Sequence, residues 1–391
     1  MQVQEDMIMG KYTILLLFTV LLWAACSSSE EIANGSKATN TTKEVDTTEL
    51  NDSYIYELPV IFHVLYNNEN DPSQYIPYQR LSNLLQYINE IYQGGIYGQS
   101  ENVNIKFVLA TTDESGRRLA HPGVDYVKYT DEYPIDVQKF MTDNTGTNVK
   151  YIWEPNNYIN IMMFNFKATH NGQTTLGISH MPQSVKGDHE LEGLETLSTS
   201  NVKKTNLRFA YCSAINSLYA NTAPGGGYYQ SDRYTSPTHT MQTYTSTDIV
   251  ITLAHELGHY LGLFHVFTER RGGNGNDSVE PVDSCADTDY CADTHSYNRY
   301  EYEEYLKYEI QNQQKYLEPL LKRNACDSAQ YQAEDIMDYS VSLGFKITPQ
   351  QKQRIRHVLY YSPLIPGPKK YRTTRAGTIN GPVDIKITTI K

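Results

Sequence analysis

Apolar residues recur along this chain in two rhythms. Leu58 to Tyr66 (LPVIFHVLY) is a continuous apolar and β-branched run, the pattern of a strand buried on both faces. His63 inside it is expected to be a packed, hydrogen-bonded core histidine. Leu81, Leu84, Leu85, Ile88 and Ile91 then return at helical spacing until Gly94 and Gly95 stop them, which predicts an amphipathic helix over residues 79–93. Strand patterns resume at Val103, Ile105, Phe107 and Leu109, and again from Tyr158 to Asn165. Strands alternating with a helix point to a sheet with helices packed on it, an α+β chain. Asn221 to Tyr244 has no usable period and reads as a long loop, a kind of segment that is often functional inside a compact domain. Thr245 with Asp248 then gives a capping-box-like start, and Ile249, Val250, Leu253, Ala254, Leu257 and Leu261 keep one helix face apolar up to Gly262. A further helical insert is predicted from Asn298 to Arg323, with Pro319 near its end. The closing stretch PVDIKITTIK is expected either to add a strand or to stay loose.

The N-terminal pattern is different. Tyr12 to Cys26 is apolar, follows Lys11, and is too short and too early for an ordinary spanning helix, so residues 1–25 read as an export signal. Glu5 and Asp6 fit such a signal poorly, which moves the expected start of translation to Met7 or Met9. Ala24 and Ala25 before Cys26 resemble the lipobox of bacterial lipoproteins, which makes Cys26 the expected acylated residue. Ser27 to Glu31 (SSSEE) resembles an acidic surface-export tag. A simple secreted protein with a chance cysteine is the competing reading. Residues 26–53 hold almost nothing apolar and cannot repay the entropy of folding, so they form a flexible tether. A single domain is expected over 54–365, followed by a tail over 366–391. The expected location is extracytoplasmic, on the bacterial outer membrane or cell surface, held there by the N-terminal lipid.

Composition narrows the partners. Lys and Arg total 33 against 45 Asp and Glu, and the net charge of −12 argues against nucleic acid and against acidic membrane surfaces. The chain is expected to act as a monomer. With Cys26 set aside, Cys212, Cys285, Cys291 and Cys326 remain, an even number that in an exported chain suggests two disulfides and no free thiol. Three pairings stay open. A thiolate zinc site is disfavoured, because Cys285 and Cys291 lack C-x-x-C spacing and the compartment is oxidising.

The chemistry concentrates in His255-Glu256-Leu257-Gly258-His259, followed by Gly262 and His265. Positions i and i+4 share one helical face, so His255 and His259 can aim at one ion while Glu256 reaches a bound water. Gly262 permits the positive φ that a sharp break needs, and the break swings His265 back as a third ligand. Three neutral nitrogens with an open fourth position form a catalytic zinc arrangement rather than a structural one. With this chain's own residue frequencies, chance register of the five fixed letters is roughly 3 in 100,000.

H-E-x-x-H-x-x-G-x-x-H resembles the metzincin zinc endopeptidases, which also carry a methionine turn beneath the metal. Glu334 to Tyr339 (EDIMDY) is similar to that turn. Within the metzincins the chain resembles the pappalysin or cytophagalysin family in LPVIFHVLY, in LGISHMP at Leu176 to Pro182, in HELGHYLGLFH, and in IMDY followed by FKITPQQKQRIR. The resemblance implies an upper mixed sheet with helices and an irregular, disulfide-tied lower subdomain. It implies Zn2+ on His255, His259 and His265, Glu256 as general base, Met337 as the floor of the site, and Tyr339 as a residue stabilising the oxyanion. Core packing is the competing account of Met337. The strand with Leu176, Gly177 and Ile178 would pair with an extended peptide substrate by β-augmentation, and His180 on it is expected at the surface. Asp277, Glu280, Asp283, Asp287 and Asp289 lie where relatives bind Ca2+, although acidic loop residues are commonly just solvated. The implied activity is hydrolysis of peptide bonds in protein or peptide substrates. Its alternative is a surface binding or adhesin lipoprotein on an inactive metzincin scaffold, against which the intact Glu256 speaks. Hydrolysis of non-peptide amides by the same metal chemistry is a third reading. Ser27 to Ser53 holds no cysteine, so a thiol latch on the metal cannot come from the tether.

Overall fold

The computed structural model describes residues 50–168, 175–220, 248–271, 279–314, 316–339, 341–370, 379 and 381–390, with the backbone alone for 271, 279 and 280. Its contacts separate residues 1–44 from 45–391, and everything described belongs to the second unit. The export signal, Cys26, most of the tether, Thr245 and the predicted loop from Asn221 to Tyr244 lie outside the described residues. No helix among the described residues is long and apolar enough to cross a membrane.

In chain order the elements are β1 (Tyr56–Tyr66), α1 (Tyr78–Gln93), β2 (Ile105–Leu109), β3 (Val124–Lys128), α2 (Val137–Thr142), β4 (Ile159–Phe164), β5 (Gly177–His180), β6 (Ser184–Val185), β7 (Thr196–Leu197) and β8 (Ser213–Asn216). They continue with α3 (Ile249–Tyr260), β9 (Glu269–Arg271), β10 (Val279–Pro281), α4 (Arg299–Gln311), α5 (Leu317–Leu320), β11 (Lys322–Asn324), β12 (Gln330–Gln332), α6 (Pro349–Tyr361) and β13 (Thr389–Ile390). Seven strands form one mixed sheet in the order β13-β5-β8-β4-β1-β2, with β3 also on β1. β1 is parallel to β2, β3 and β4, and β4 to β8, whereas β5 runs antiparallel to β8 and to β13.

The central position of β1 explains the run LPVIFHVLY: Val60 to Leu65 are all buried, whichever face of the sheet they point to. The single polar residue in that run, His63, hydrogen-bonds Asp125 at 3.0 Å and Asn160 at 2.9 Å, so its burial leaves neither ring nitrogen without a partner. α1 buries Leu81, Leu84, Leu85, Ile88 and Ile91 and ends at Gly94, whose φ of 70° permits the turn. Among the described residues, Leu50 is already buried. Arg356 of α6 donates to the Asn51 carbonyl at 2.7 Å and Tyr360 to Asp52 at 3.0 Å.

Two expectations change below the sheet. The helical insert breaks into α4 and α5, with Gln313 at a φ of 60° between them; the polar sequence Gln311 to Gln314 offers no apolar face to carry a helix across. Among the described residues one disulfide forms, Cys285–Cys326, while Cys212 and Cys291 are buried free thiols. Cys212 enters β8 with Sγ against Met141 Sδ at 3.7 Å, inside the upper core. Cys291 sits in the loop that Asp289 holds through its amide at 2.9 Å. Burial raises both thiols well above the ordinary range, so they behave as small core residues. The tail does add a strand, β13, on the outer side of β5.

Candidate metal and active site

α3 begins where Asp248 accepts from the Val250 and Ile251 amides at 3.0 and 3.2 Å. That cap fixes the helix register, and with it His255 and His259 one turn apart on one face. Gly262, at a φ of 94°, ends the helix, and Leu263 presents its carbonyl to His259 Nδ1 at 2.8 Å while the chain carries His265 back. The three Nε2 atoms converge: His255 to His259 is 2.9 Å, and His265 is 3.0 Å from each.

Each ring is oriented through its other nitrogen. His255 Nδ1 meets the Ile336 carbonyl at 2.7 Å, His259 Nδ1 the Leu263 carbonyl, and His265 Nδ1 a Glu269 carboxylate oxygen at 2.6 Å. Carbonyls and carboxylates accept, so Nδ1 carries the hydrogen in all three neutral rings. No proton is then left for the Nε2 atoms to share. Three lone pairs face one another in a buried space, a donor set that only a cation satisfies, and the nitrogens with their anchored second positions suit zinc. Burial, with His265 adding to it, pushes His255 down to about 3, and burial holds His259 well below the usual histidine range. Both rings are therefore in the neutral form that ligates a metal. Among the described residues this trio is the one group of three or more His, Cys, Asp or Glu able to hold an ion.

Glu256 is buried beside the trio, and its Oε2 has no protein partner. Burial pushes its carboxyl up to about 8, opposed by the Ser179 hydroxyl. Ser179 also ties β5 to α3, donating to the Glu256 carbonyl at 2.9 Å. Gly177 on β5 lies so close that a Cβ there would stand 2.4 Å from Glu256 Oε1. Of the three residues expected to meet a peptide, Gly177 and Ile178 are in β5 and Leu176 precedes it, accepting from the Asn216 amide at 2.8 Å. Their outer edge leads to the carboxylate, but from Ser179 onward β13 covers it.

Met337 packs under the helix at Gly258, where an added Cβ would meet its sulfur at 2.4 Å. Its neighbour Ile336 supplies the carbonyl for His255, so the turn is both packing floor and ligand support. Tyr339 sets its ring edge-on to His265 at 4.4 Å, beneath the Arg299 guanidinium at 4.3 Å from its centroid. Phe267 stacks on His265 at 4.7 Å and meets Tyr339 edge-on at 4.9 Å. Glu269, Ser179 and Arg299 were not singled out from sequence; only the closeness of an acidic residue to His265 could have flagged the first.

His180 is buried rather than at the surface. Its Nε2 donates to the Met141 carbonyl at 2.9 Å and its Nδ1 accepts from the Cys212 amide at 3.2 Å, and burial pushes it down to about 4. Of the acidic residues considered for calcium, Asp283, Asp287 and Asp289 have described side chains. Asp283 accepts from Asn298 at 2.8 Å, and Asp289 accepts from the Cys291 amide and from Thr294 at 2.7 Å. Asp287 accepts from the Asp289 amide at 3.3 Å, while Asp277 and the Glu280 side chain lie outside the described residues.

Residues 213–360 match the peptidase family described by pregnancy-associated plasma protein-A. No curated protein matches the chain. Among solved structures, mature mirolysin of Tannerella forsythia in complex with a cleaved peptide is 19% identical, with a TM-score of 0.47, over 78% of this chain and 91% of that one. A promirolysin mutant of the same organism is 18% identical at a TM-score of 0.47, over 78% and 81%. The family match runs from β8 through α6 and takes in His255, His259, His265, Glu256 and the Met337 turn, so the part of the chain that is similar to this peptidase family is the part that carries the site.

Proposed function

We propose that the chain is a zinc-dependent endopeptidase in which His255, His259 and His265 hold the ion and Glu256 is the general base. The observation that carries this is the convergence of three buried, proton-free Nε2 atoms beside a buried carboxylate with one unpartnered oxygen. Zinc, when bound there, supplies Lewis acidity toward the scissile carbonyl and the attacking water.

The remaining work belongs to the protein. Glu256 takes the proton of the attacking water and delivers it to the leaving amine, a role that suits a carboxyl raised toward neutrality. Ser179 and Gly177 fix the depth of that carboxylate against β5. The β5 edge from Leu176 to Ile178, which no strand pairs on its outer side among the described residues, offers backbone groups to an extended peptide. Tyr339, braced by Arg299 and packed on His265, is placed to donate to the oxyanion. Glu269 keeps the His265 tautomer that presents Nε2. The lipid anchor on Cys26 is part of the same proposal, and places the protease outside the cytoplasm on a membrane.

Replacing Glu256 by Gln tests the mechanism. Zinc content and folding are expected to hold while peptide hydrolysis falls by about a hundredfold to ten-thousandfold. Undiminished turnover would refute the assignment.

A further inference from the structure

β5 is the strand on which the proposed function depends, and part of its outer edge is occupied by the chain's own residues. Thr389 pairs with His180 and Ile390 with Ser179 in antiparallel register, and the Met181 amide donates to the Thr388 carbonyl at 2.9 Å. Antiparallel pairing fixes a direction: each step forward along β13 moves one residue back along β5. From Ile390 opposite Ser179 the track leads past Ile178 to Gly177, which abuts Glu256. A peptide laid antiparallel on β5 with its scissile bond at Glu256 would place the residues before that bond where β13 now lies.

We infer that β13 is an intramolecular competitor for the substrate strand: it fills the positions of peptide residues N-terminal to the scissile bond, and it must leave for a long peptide to bind. This rests on the endopeptidase reading above. Several features suit a segment that docks and leaves. The ladder is two residues long. Residues 381–388 form no regular element, and the Thr388 hydroxyl is buried without a partner, a poor fit for permanent packing. The segment is tethered further back, where the Val383 amide donates to the Asn206 carbonyl at 2.9 Å and Asn206 Nδ2 donates to the Gly381 carbonyl at 2.8 Å. Release of β13 therefore needs no loss of those anchors. Ile390, 1% exposed, is the most buried side chain of residues 388–390.

The experiment compares the full chain, Ile390→Asp in the full chain, and a variant ending at Val383. The probe for binding is a fluorescein-labelled DIKITTIK peptide, the sequence of residues 384–391. Both variants are expected to bind it at least tenfold more tightly than the unaltered chain does, because their β5 edge is open. In hydrolysis, peptides with four residues before the scissile bond should show a KM about tenfold lower in the variants, with kcat unchanged. Substrates with one blocked residue before the bond should be cleaved alike by all three. Unlabelled DIKITTIK added to the truncated chain should raise KM for the long peptides again. Equal probe binding by all three proteins would overturn the inference, as would an equal change for long and short substrates in variants of unaltered melting temperature. Binding decides the role of β13, whereas hydrolysis by the unaltered chain decides the protease reading beneath it. Their failures are therefore distinguishable.

Discussion

Gly177→Ala probes how closely Glu256, the proposed base, must be held. The residue is in β5 with a φ outside the left-handed range, so alanine is compatible with the backbone. Its Cβ, however, would stand 2.4 Å from Glu256 Oε1, 2.5 Å from Cγ and 2.7 Å from Cδ. Relief requires the carboxylate to retreat by about 1 Å, since carbon contacts open near 3.5 Å. The strand cannot give instead, because it is paired to β8 and tied through Ser179 to the Glu256 carbonyl. A misplacement of about 1 Å at a catalytic group can cost about a hundredfold, or about 2.7 kcal/mol of barrier. We expect kcat on a fluorogenic peptide to fall by about that factor, with zinc content by atomic absorption unchanged. A double-mutant cycle isolates the cause: in a Glu256→Gln background the same substitution should cost less than about threefold, because the proton acceptor it displaces is already disabled. An unaltered kcat, or a full hundredfold loss persisting in that background, would refute the reasoning.

Other expected outcomes follow from the same geometry. His265→Ala removes one of the three converging nitrogens and should lower zinc occupancy as well as rate; full zinc retention would show the third ligand misassigned. Glu269→Gln keeps the shape of the partner to His265 but weakens its charge, and should lower zinc affinity about ten- to a hundredfold in a chelator competition. Cys285→Ser opens a disulfide of sequence separation 41 and should destabilise the domain by up to about 4 kcal/mol in denaturant titration, while thiol labelling of the unfolded native-sequence chain finds Cys212 and Cys291 free. Cys26→Ser should release the protein from the membrane fraction with its specific activity intact.

What could be read from sequence was what local pattern encodes. β1 and α1 follow from apolar runs of the right period, and the Asp248 cap and Gly262 break frame α3 so tightly that the histidine geometry is nearly dictated within seventeen residues, 249–265. What stayed illegible depends on distant partners. His180 looks like a surface histidine until Cys212 and Met141, 32 and 39 residues away, supply its hydrogen-bond partners. Cysteine number and compartment suggested two bridges, but sheet placement puts Cys212 against Met141 in the upper core. Glu269 acquires its role only because the chain turns after His265, and β13 only because residues 388–390 return to β5. Neither return has a periodic signature.

The central claim, a zinc ion held by His255, His259 and His265 and used for peptide hydrolysis, is tested most directly by metal titration of the chelator-stripped protein. Bound zinc by atomic absorption and peptide hydrolysis should rise together and saturate at one ion per chain, with neither signal in a His255→Ala, His259→Ala double variant. Hydrolysis that persists in the stripped protein, or full zinc binding by that variant, would contradict the account.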